Sequence, residues 1–256
     1  MILRSATGII PARYSSQRFP GKPLTLILGK SMVQRVYERV QTAKQLDRII
    51  IATDDERIFK AAESFGAETW MTSPLHNSGT ERTAEIASKI DSHIIINIQS
   101  DEPLIRGEMI DQLVVAMQNK KISMATLAVK IKDLSLLNDR NIVKVVSDNN
   151  GYALYFSRSA LPFQPFDFFW QHIGIYGFQR DFLLKFIKLP ISRLEKTEKL
   201  EQLRALENGF KIKVLETSFS TLSVDSSKDI IKVENFFKKK TGGLNSFLTF
   251  LIIRGI

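Results

Sequence analysis

The sequence predicts an α/β fold, a mixed but mostly parallel sheet covered by helices. Three observations point there. Short β-branched runs alternate with segments of helical period, polar clusters follow several of the runs, and no internal repeat or low-complexity linker interrupts the pattern. Residues 7–10 form the first apolar run, broken at Pro11. Met32, Val33, Val36, Tyr37 and Val40 then recur at helical spacing. Residues 48–53 are a second strand-like run, ending at Asp54 and Asp55, where a helix can be capped. That helix carries Ile58, Ala61, Ala62 and Phe65, and Gly66 stands at its C-cap position. Ser78-Gly-Thr-Glu81 has the form of a capping box, so a helix should run over about 79–90. A strand over 93–99 follows, then a polar turn, then a helix carrying Ile110, Leu113, Val114 and Met117.

From about residue 123 the texture becomes β-rich. Strands are expected over 123–131, 142–147 and 152–157, with Asp148-Asn-Asn-Gly151 as the turn between the last two, and again over 171–178. Helices follow over 181–188 and 195–207, short strands over 212–216 and 222–224, and a helix over 228–237. The expected organisation is one domain over 1–240, with 131–180 as a β-rich excursion from it.

A chain of 256 residues suits a single large domain. With 44% hydrophobic and 25% charged residues it is neither a disordered chain, nor collagen-like, nor a coiled coil. The absence of cysteine excludes disulfides, thiolate zinc sites and cysteine nucleophiles. The longest apolar stretches, 94–96 and 247–253, fall far short of the ~18 residues that a membrane span needs, so stable insertion is not expected. Residues 1–10 lack the h-region and cleavage site of a signal peptide, which makes the cytoplasm the expected address.

Lysine and arginine outnumber aspartate and glutamate by 36 to 27, a net charge of +9. Nucleic acid, an anionic membrane or a phosphate-rich small molecule would each suit that sign. Its distribution narrows the choice. Arg4, Arg13, Arg18, Lys22, Lys30 and Arg35 all precede the first acidic residue, Glu38. The lysines at 238–240 read as a solubility surplus. No recognition helix or RNA-stacking motif accompanies the charge, so nucleic acid is not the expected partner.

In open α/β sheets, ligands bind beyond the carboxyl ends of the strands. Three polar clusters follow expected strands: residues 11–22, residues 99–102, and Asp225. The first reads Pro11-Ala-Arg-Tyr-Ser-Ser-Gln-Arg-Phe-Pro-Gly-Lys-Pro23. It is neither a P-loop nor a dinucleotide fingerprint, because both glycine patterns are missing. Its cations, hydroxyls and backbone N–H groups suit a polyphosphate. A solvated basic turn would have the same composition, and charge alone does not choose between them.

The order of the motifs does. Ile-Pro-Ala-Arg-x-x-Ser-x-Arg-x-Pro-Gly-Lys-Pro-Leu at 10–24 is followed by Ala52-Thr-Asp54, Ser78-Gly-Thr-Glu-Arg82 and Asn97-Ile-Gln-Ser-Asp-Glu-Pro103. Then come Met124-Ala-Thr-Leu127, Tyr152-Ala-Leu-Tyr-Phe-Ser-Arg158, His172-Ile-Gly-Ile-Tyr-Gly177 and Leu200-Glu-Gln-Leu-Arg204. This ordered set, over roughly 7–237, resembles the sugar-acid cytidylyltransferases and within them the 3-deoxy-manno-octulosonate cytidylyltransferase family. The resemblance implies a Rossmann-like nucleotidyltransferase fold and transfer of a cytidylyl group from CTP to 3-deoxy-D-manno-octulosonate (Kdo) for lipopolysaccharide biosynthesis. It also implies Mg²⁺ as cofactor and a homodimer formed through 131–180.

Carried over residue by residue, the resemblance gives Lys22, Asp101 and Asp225 catalytic roles, the two aspartates as Mg²⁺ ligands. Arg13, Ser16, Arg18, Ser78, Gly79, Arg82 and Gln99 would bind the nucleotide. Arg158, His172, Tyr176, Glu201 and Gln202 would line the Kdo pocket. Plainer readings stand beside these. Asp225 would serve as a helix cap, Tyr176 and His172 as strand residues, Arg158 as a surface ion-pair partner, and Glu201 and Gln202 as helix surface. The nearest rivals are transfer to another sugar acid, amino-Kdo or sialic acid, and a catalytically silent nucleotide-binding homologue. Two departures from the family pattern bear on the second: Ser100 stands where glycine is usual, and the segment 223–229 around Asp225 is altered. Phe19 stands for a usual leucine as an apolar swap, and the segment between Leu161 and His172 is short. The tail 241–256 extends beyond the family's usual ending, and its apolar run at 247–253 has the composition of an added strand or a sticky segment.

Overall fold

The computed structural model describes residues 3–15 and 19–252, those from 240 onward by backbone alone. β1 (Ala6–Ala12) is buried along its whole length. A small hairpin of β2 (Leu26–Ile27) and β3 (Lys30–Ser31) leads into α1 (Met32–Val40), whose N-cap Ser31 accepts a hydrogen bond from the Gln34 N–H. β4 (Arg48–Thr53) ends at the cap Asp55 of α2 (Glu56–Ser64), and β5 (Thr69–Met71) follows. α3 (Gly79–Lys89) is capped by Ser78, whose Oγ accepts from the Glu81 N–H at 3.2 Å. The Glu81 carboxylate turns instead to the Asn77 N–H at 2.7 Å, so the expected capping box closes one residue early. β6 (Ile94–Asn97), α4 (Gly107–Met117) and β7 (Met124–Ile131) complete the first half.

The excursion consists of β8 (Lys144–Ser147) and β9 (Ala153–Ser157), joined by the expected turn with Gly151 at φ 70°. β10 (Phe169–Gln179) returns the chain to the sheet. α5 (Arg180–Phe186), α6 (Arg193–Glu198), α7 (Leu203–Glu207), β11 (Ile212–Thr217) and α8 (Ser227–Ile252) follow. The strand order is β11-β7-β10-β6-β1-β4-β5. Every neighbouring pair on that path is parallel except those involving β10, which runs against both β6 and β7. The sheet is therefore mixed and mostly parallel, as the sequence predicts.

The two faces of the sheet separate residue by residue. Ile10, Ile51, Ile94 and Ile96 pack with Val33, Val36, Met109 and Leu113 from α1 and α4. Ile9, Ile50 and Ile95 pack with Ala84, Ala87, Phe182, Phe186 and Leu203 from α3, α5 and α7. Burial on both faces is what a near-continuous isoleucine run in a parallel strand requires.

Four expectations change. The helix expected over 195–207 is two helices, broken where Lys199 takes φ 55°. Residues 222–224 form no strand, although the Val224 N–H donates to the Asp101 carbonyl at 2.9 Å. Among the described residues the tail adds no strand. α8 runs through it to Ile252, since extending an existing helix needs no new nucleus whereas a strand needs an edge to pair with. The hairpin β2–β3 and β5 were not expected at all, being too short for a period to show.

Candidate active site

Four chain segments meet at the carboxyl ends of β1 and β6. The cleft between them is lined by Pro11, Arg13, Lys22, Gly79, Arg82, Gln99, Ser100, Asp101 and Asp225, among others. The three polar clusters of the sequence thus share one cavity. Lys22 joins the three clusters. Its Nζ donates to Asp101 Oδ2 at 2.6 Å and to Asp225 Oδ1 at 3.4 Å. A left-handed Gly21 at φ 71° positions it, and a Cβ on Gly21 would stand 3.2 Å from the Tyr14 ring.

Two carboxylates reached by one ammonium must point at a common position. Among the described residues no cluster of three or more His, Cys, Asp or Glu side chains is arranged to hold a metal. A pair of hard oxygen donors nevertheless fits Mg²⁺, which keeps waters and takes phosphate oxygens as further ligands. Asp225 stands two residues before the first residue of α8, Ser227. Asp229 accepts from the Asp225 and Ser226 N–H groups at 3.3 and 3.1 Å, and the Asp225 carboxylate meets Lys22.

Beside Asp101 lies a residue that sequence reasoning missed. Glu102 is buried, one of its carboxyl oxygens has no hydrogen-bond partner, and burial together with the Asp101 charge pushes its pKa up to about 8. Its only sequence signal was its place in the Asp-Glu-Pro run. Ser100 lines the cleft without a left-handed backbone, so a side chain there is conformationally ordinary.

On the nucleotide side, Gly79 opens α3 bare toward the cleft, and a Cβ there would lie 3.1 Å from Pro11 Cγ. Arg13 is exposed and reaches the Asn77 carbonyl at 3.4 Å. Arg82 lines the cleft, yet its buried guanidinium is held by Asp54 Oδ2 at 2.8 Å, the Ser73 carbonyl at 3.3 Å and Thr72 Oγ1. It braces the wall. Ser16 and Arg18 lie outside the described residues.

The residues expected around the sugar also come together. Ser78 Oγ and Thr80 Oγ1 both donate to the Glu201 carboxylate, the former at 2.9 Å. Burial raises the Glu201 pKa against those bonds. Asn97 Nδ2 donates to Thr80 Oγ1 at 3.2 Å and its Oδ1 accepts from Gln99 Nε2 at 3.4 Å. One polar chain therefore links Glu201 to the Gln99 wall of the cleft. Tyr176 is paired with Asn97 across the sheet, and its ring lies 5.5 Å from that of His172.

His172 is buried, which drives its pKa down to about 3. Thr126 Oγ1 stands 2.9 Å from His172 Nε2 and lies 3.1 and 2.8 Å from the Ile173 and Ile175 carbonyls. Gln202 is buried with its Nε2 unpartnered. Because Lys199 breaks the helix, Glu201 and Gln202 sit in a turn and not on a helix surface. Arg158 donates to the Glu198 and Arg140 carbonyls at 3.1 and 3.0 Å, which ties it to the end of α6. Sequence reasoning also passed over Lys144, fully buried, whose Nζ donates to the Arg158 carbonyl at 2.5 Å.

A cytidylyltransferase family model matches residues 7–213. A 3-deoxy-manno-octulosonate cytidylyltransferase from Thermodesulfovibrio yellowstonii is 49% identical over 239 residues, covering 87% of this chain and 94% of that protein. The chain belongs to the 3-deoxy-manno-octulosonate cytidylyltransferase family. A second member, from Solibacter usitatus, is 49% identical over 243 residues, covering 92% of this chain and 95% of its own. A solved structure of CMP:2-keto-3-deoxy-manno-octonic acid synthetase complexed with CTP superposes with a TM-score of 0.88 at 38% identity, covering 92% of this chain and 99% of that one. The fold extends beyond the family. A 4-diphosphocytidyl-2C-methyl-D-erythritol synthase from Anaerococcus prevotii gives a TM-score of 0.64 at 19% identity, covering 92% of this chain and 99% of its own. Among the described residues no helix is long and apolar enough to cross a membrane.

Proposed function

We propose that this chain transfers the cytidylyl group of CTP to Kdo, giving CMP-Kdo and pyrophosphate for lipopolysaccharide biosynthesis in the cytoplasm. The observation that carries the reading is the convergence of Lys22, Asp101 and Asp225 at the strand ends of a chain about half identical to enzymes named for that reaction. The anomeric hydroxyl of the sugar attacks the α-phosphorus and pyrophosphate leaves. Such a displacement needs positioning and charge neutralisation more than a covalent nucleophile.

Arg13, Arg18 and Lys22 hold triphosphate oxygens. Asp101 and Asp225 hold Mg²⁺, which when bound lowers the pKa of the sugar hydroxyl and neutralises charge at the α-phosphate. Pro11, Ser78 and Gly79 form the wall that reads cytosine, and Gln99 and Ser16 support the nucleotide. Arg158 pairs with the sugar carboxylate, while Tyr176, Glu201, Gln202 and His172 take its hydroxyls. The unpartnered Gln202 amide supports that role, because a buried donor left unmade is costly until a ligand satisfies it. With its pKa near 3, His172 serves as a neutral hydrogen-bonding group and not as a proton carrier. The excursion over 131–180 forms the homodimer contact, a reading supported by Leu154, Phe163 and Phe166, which are 63%, 82% and 100% exposed.

Pyrophosphate release tests this, measured with each nucleoside triphosphate against Kdo, an amino-Kdo and a sialic acid. CTP with Kdo should be fastest. Uracil would leave polar groups of the pocket unpaired at about 1–3 kcal/mol each, so UTP should be clearly slower. Equal rates with UTP and CTP would overturn the cytosine assignment.

A further inference from the structure

Lys22 is wanted in two places. Its ammonium lies 2.6 Å from Asp101 Oδ2 and 3.4 Å from Asp225 Oδ1. The proposed function puts a divalent cation on those same carboxylates and asks Lys22 to hold triphosphate oxygens. Three N–H donors let one ammonium touch several oxygens at once, as it does here, but an ammonium held on these carboxylates sets a positive charge beside the position of the cation, and the two repel. The backbone that carries it is fixed. Gly21 N–H is bonded to the Tyr14 carbonyl, and the Leu24 and Thr25 N–H groups are bonded to the Gly21 and Lys22 carbonyls. What can move is the four-carbon stem, which is long and freely rotatable.

We propose that Lys22 is an exchangeable counter-ion. With no nucleotide bound, its ammonium offsets one of the two charges of the Asp101–Asp225 pair and disfavours a divalent cation on them. Arrival of metal-bound CTP gives the carboxylates a doubly charged cation and gives the ammonium a triphosphate, so both partners are exchanged together. The proposal rests on the metal and CTP reading above. It adds that nucleotide-free protein binds divalent cations weakly although its ligands already converge. The apparent affinity is lowered by the fraction of molecules in which Lys22 has left the pair. By reciprocity, CTP tightens metal binding as much as metal tightens CTP.

The test is Mn²⁺ binding to the full chain, followed by the electron paramagnetic resonance of unbound Mn²⁺, with and without CTP. Without CTP, Lys22→Met should bind Mn²⁺ at least ~10-fold more tightly than the wild type. Adding Asp101→Asn to it should cancel the gain. Lys22→Arg keeps a cation in place and should bind as weakly as the wild type. Lys22→Gln repeats the measurement if the methionine variant melts below the assay temperature. If the uncharged variants bind Mn²⁺ no more tightly than the wild type without CTP, while the wild type binds it with CTP, the counter-ion role is overturned and the metal reading stands. If Lys22→Arg tightens binding as much as Lys22→Met, the gain comes from loss of the lysine stem and the role is again overturned. If no form binds Mn²⁺ even with CTP, the metal reading itself fails and takes this proposal with it.

Discussion

Asp101 and Asp225 are 124 positions apart in the chain, yet one ammonium reaches both. Replacing either by asparagine keeps its size and removes one of the charges that hold the metal against the α-phosphate. Turnover should fall by at least ~10²-fold, about 2.7 kcal/mol of barrier, with a much smaller loss of CTP affinity because Arg13, Arg18 and Lys22 still hold the triphosphate. An Asp225→Asn protein that melts earlier but keeps near-normal turnover per folded molecule would count against the assignment. His172 supports a separate prediction, about stability. In the fold it stays neutral down to about pH 3, whereas an unfolded imidazole protonates near 6.5. Below pH 6.5 the unfolded chain takes up a proton that the folded chain refuses. This contribution is therefore intact above pH 6.5 and is lost as pH falls towards 3, by about 2 kcal/mol between pH 7 and pH 5. The melting temperature should drop more steeply over that interval in the wild type than in His172→Gln; equal slopes would refute it. At this scale the charged ends were legible in the sequence, because loops after strands advertise lysine, arginine and aspartate. Glu102 and Lys144 were not, since their importance comes from burial, which a motif does not report.

Helix α3 shows how one element serves both halves of the site. Its cap residue Ser78 binds Glu201, its third residue from the cap, Glu81, steadies the preceding loop, and its first residue, Gly79, lets the cleft approach the backbone. Any side chain at Gly79 meets Pro11 Cγ at 3.1 Å at its first carbon, while the backbone there is not left-handed and tolerates substitution. Gly79→Val should therefore lower the melting temperature, because buried Pro11 must give way, and raise the KM for CTP by about tenfold, roughly 1.4 kcal/mol. Steady-state kinetics with CTP varied at saturating Kdo checks this, and an unchanged KM would remove Gly79 from the nucleotide wall. The capping signature made this helix legible. The helix expected over 195–207 was misread because the stretch contains neither glycine nor proline, so no residue type marks the break at Lys199. Only the left-handed backbone at that residue shows that Glu201 and Gln202 belong to a turn facing the site.

At the scale of the whole molecule, isoleucine-rich runs gave away the sheet and its covering helices, but the antiparallel insertion of β10 between β6 and β7 is a pairing between distant segments that no local pattern encodes. The same holds for the way the C-terminal helix secures the site. Val224, Val233 and Leu104 are buried in one cluster with Ile27 and Met32, joined by Leu222, Ile230 and Phe237. Glu234 accepts from the Leu28 N–H at 3.3 Å, and Arg35 lies 4.8 Å from the Phe237 ring. These contacts clamp the early part of α8 against the β2–β3 hairpin. Together with the Val224–Asp101 backbone bond, they fix the loop carrying Asp225. All of them precede residue 240. A chain truncated after Lys240 should therefore keep its melting temperature and its turnover. Val233→Asp, which forces a charge into that cluster, should destabilise the protein by several kcal/mol and lower turnover per folded molecule by loosening Asp225. Melting curves and pyrophosphate release on both proteins decide the matter. A truncated chain that folds yet loses most of its turnover would mean that the tail takes part in the chemistry, and that the clamp on Asp225 extends past the contacts named here.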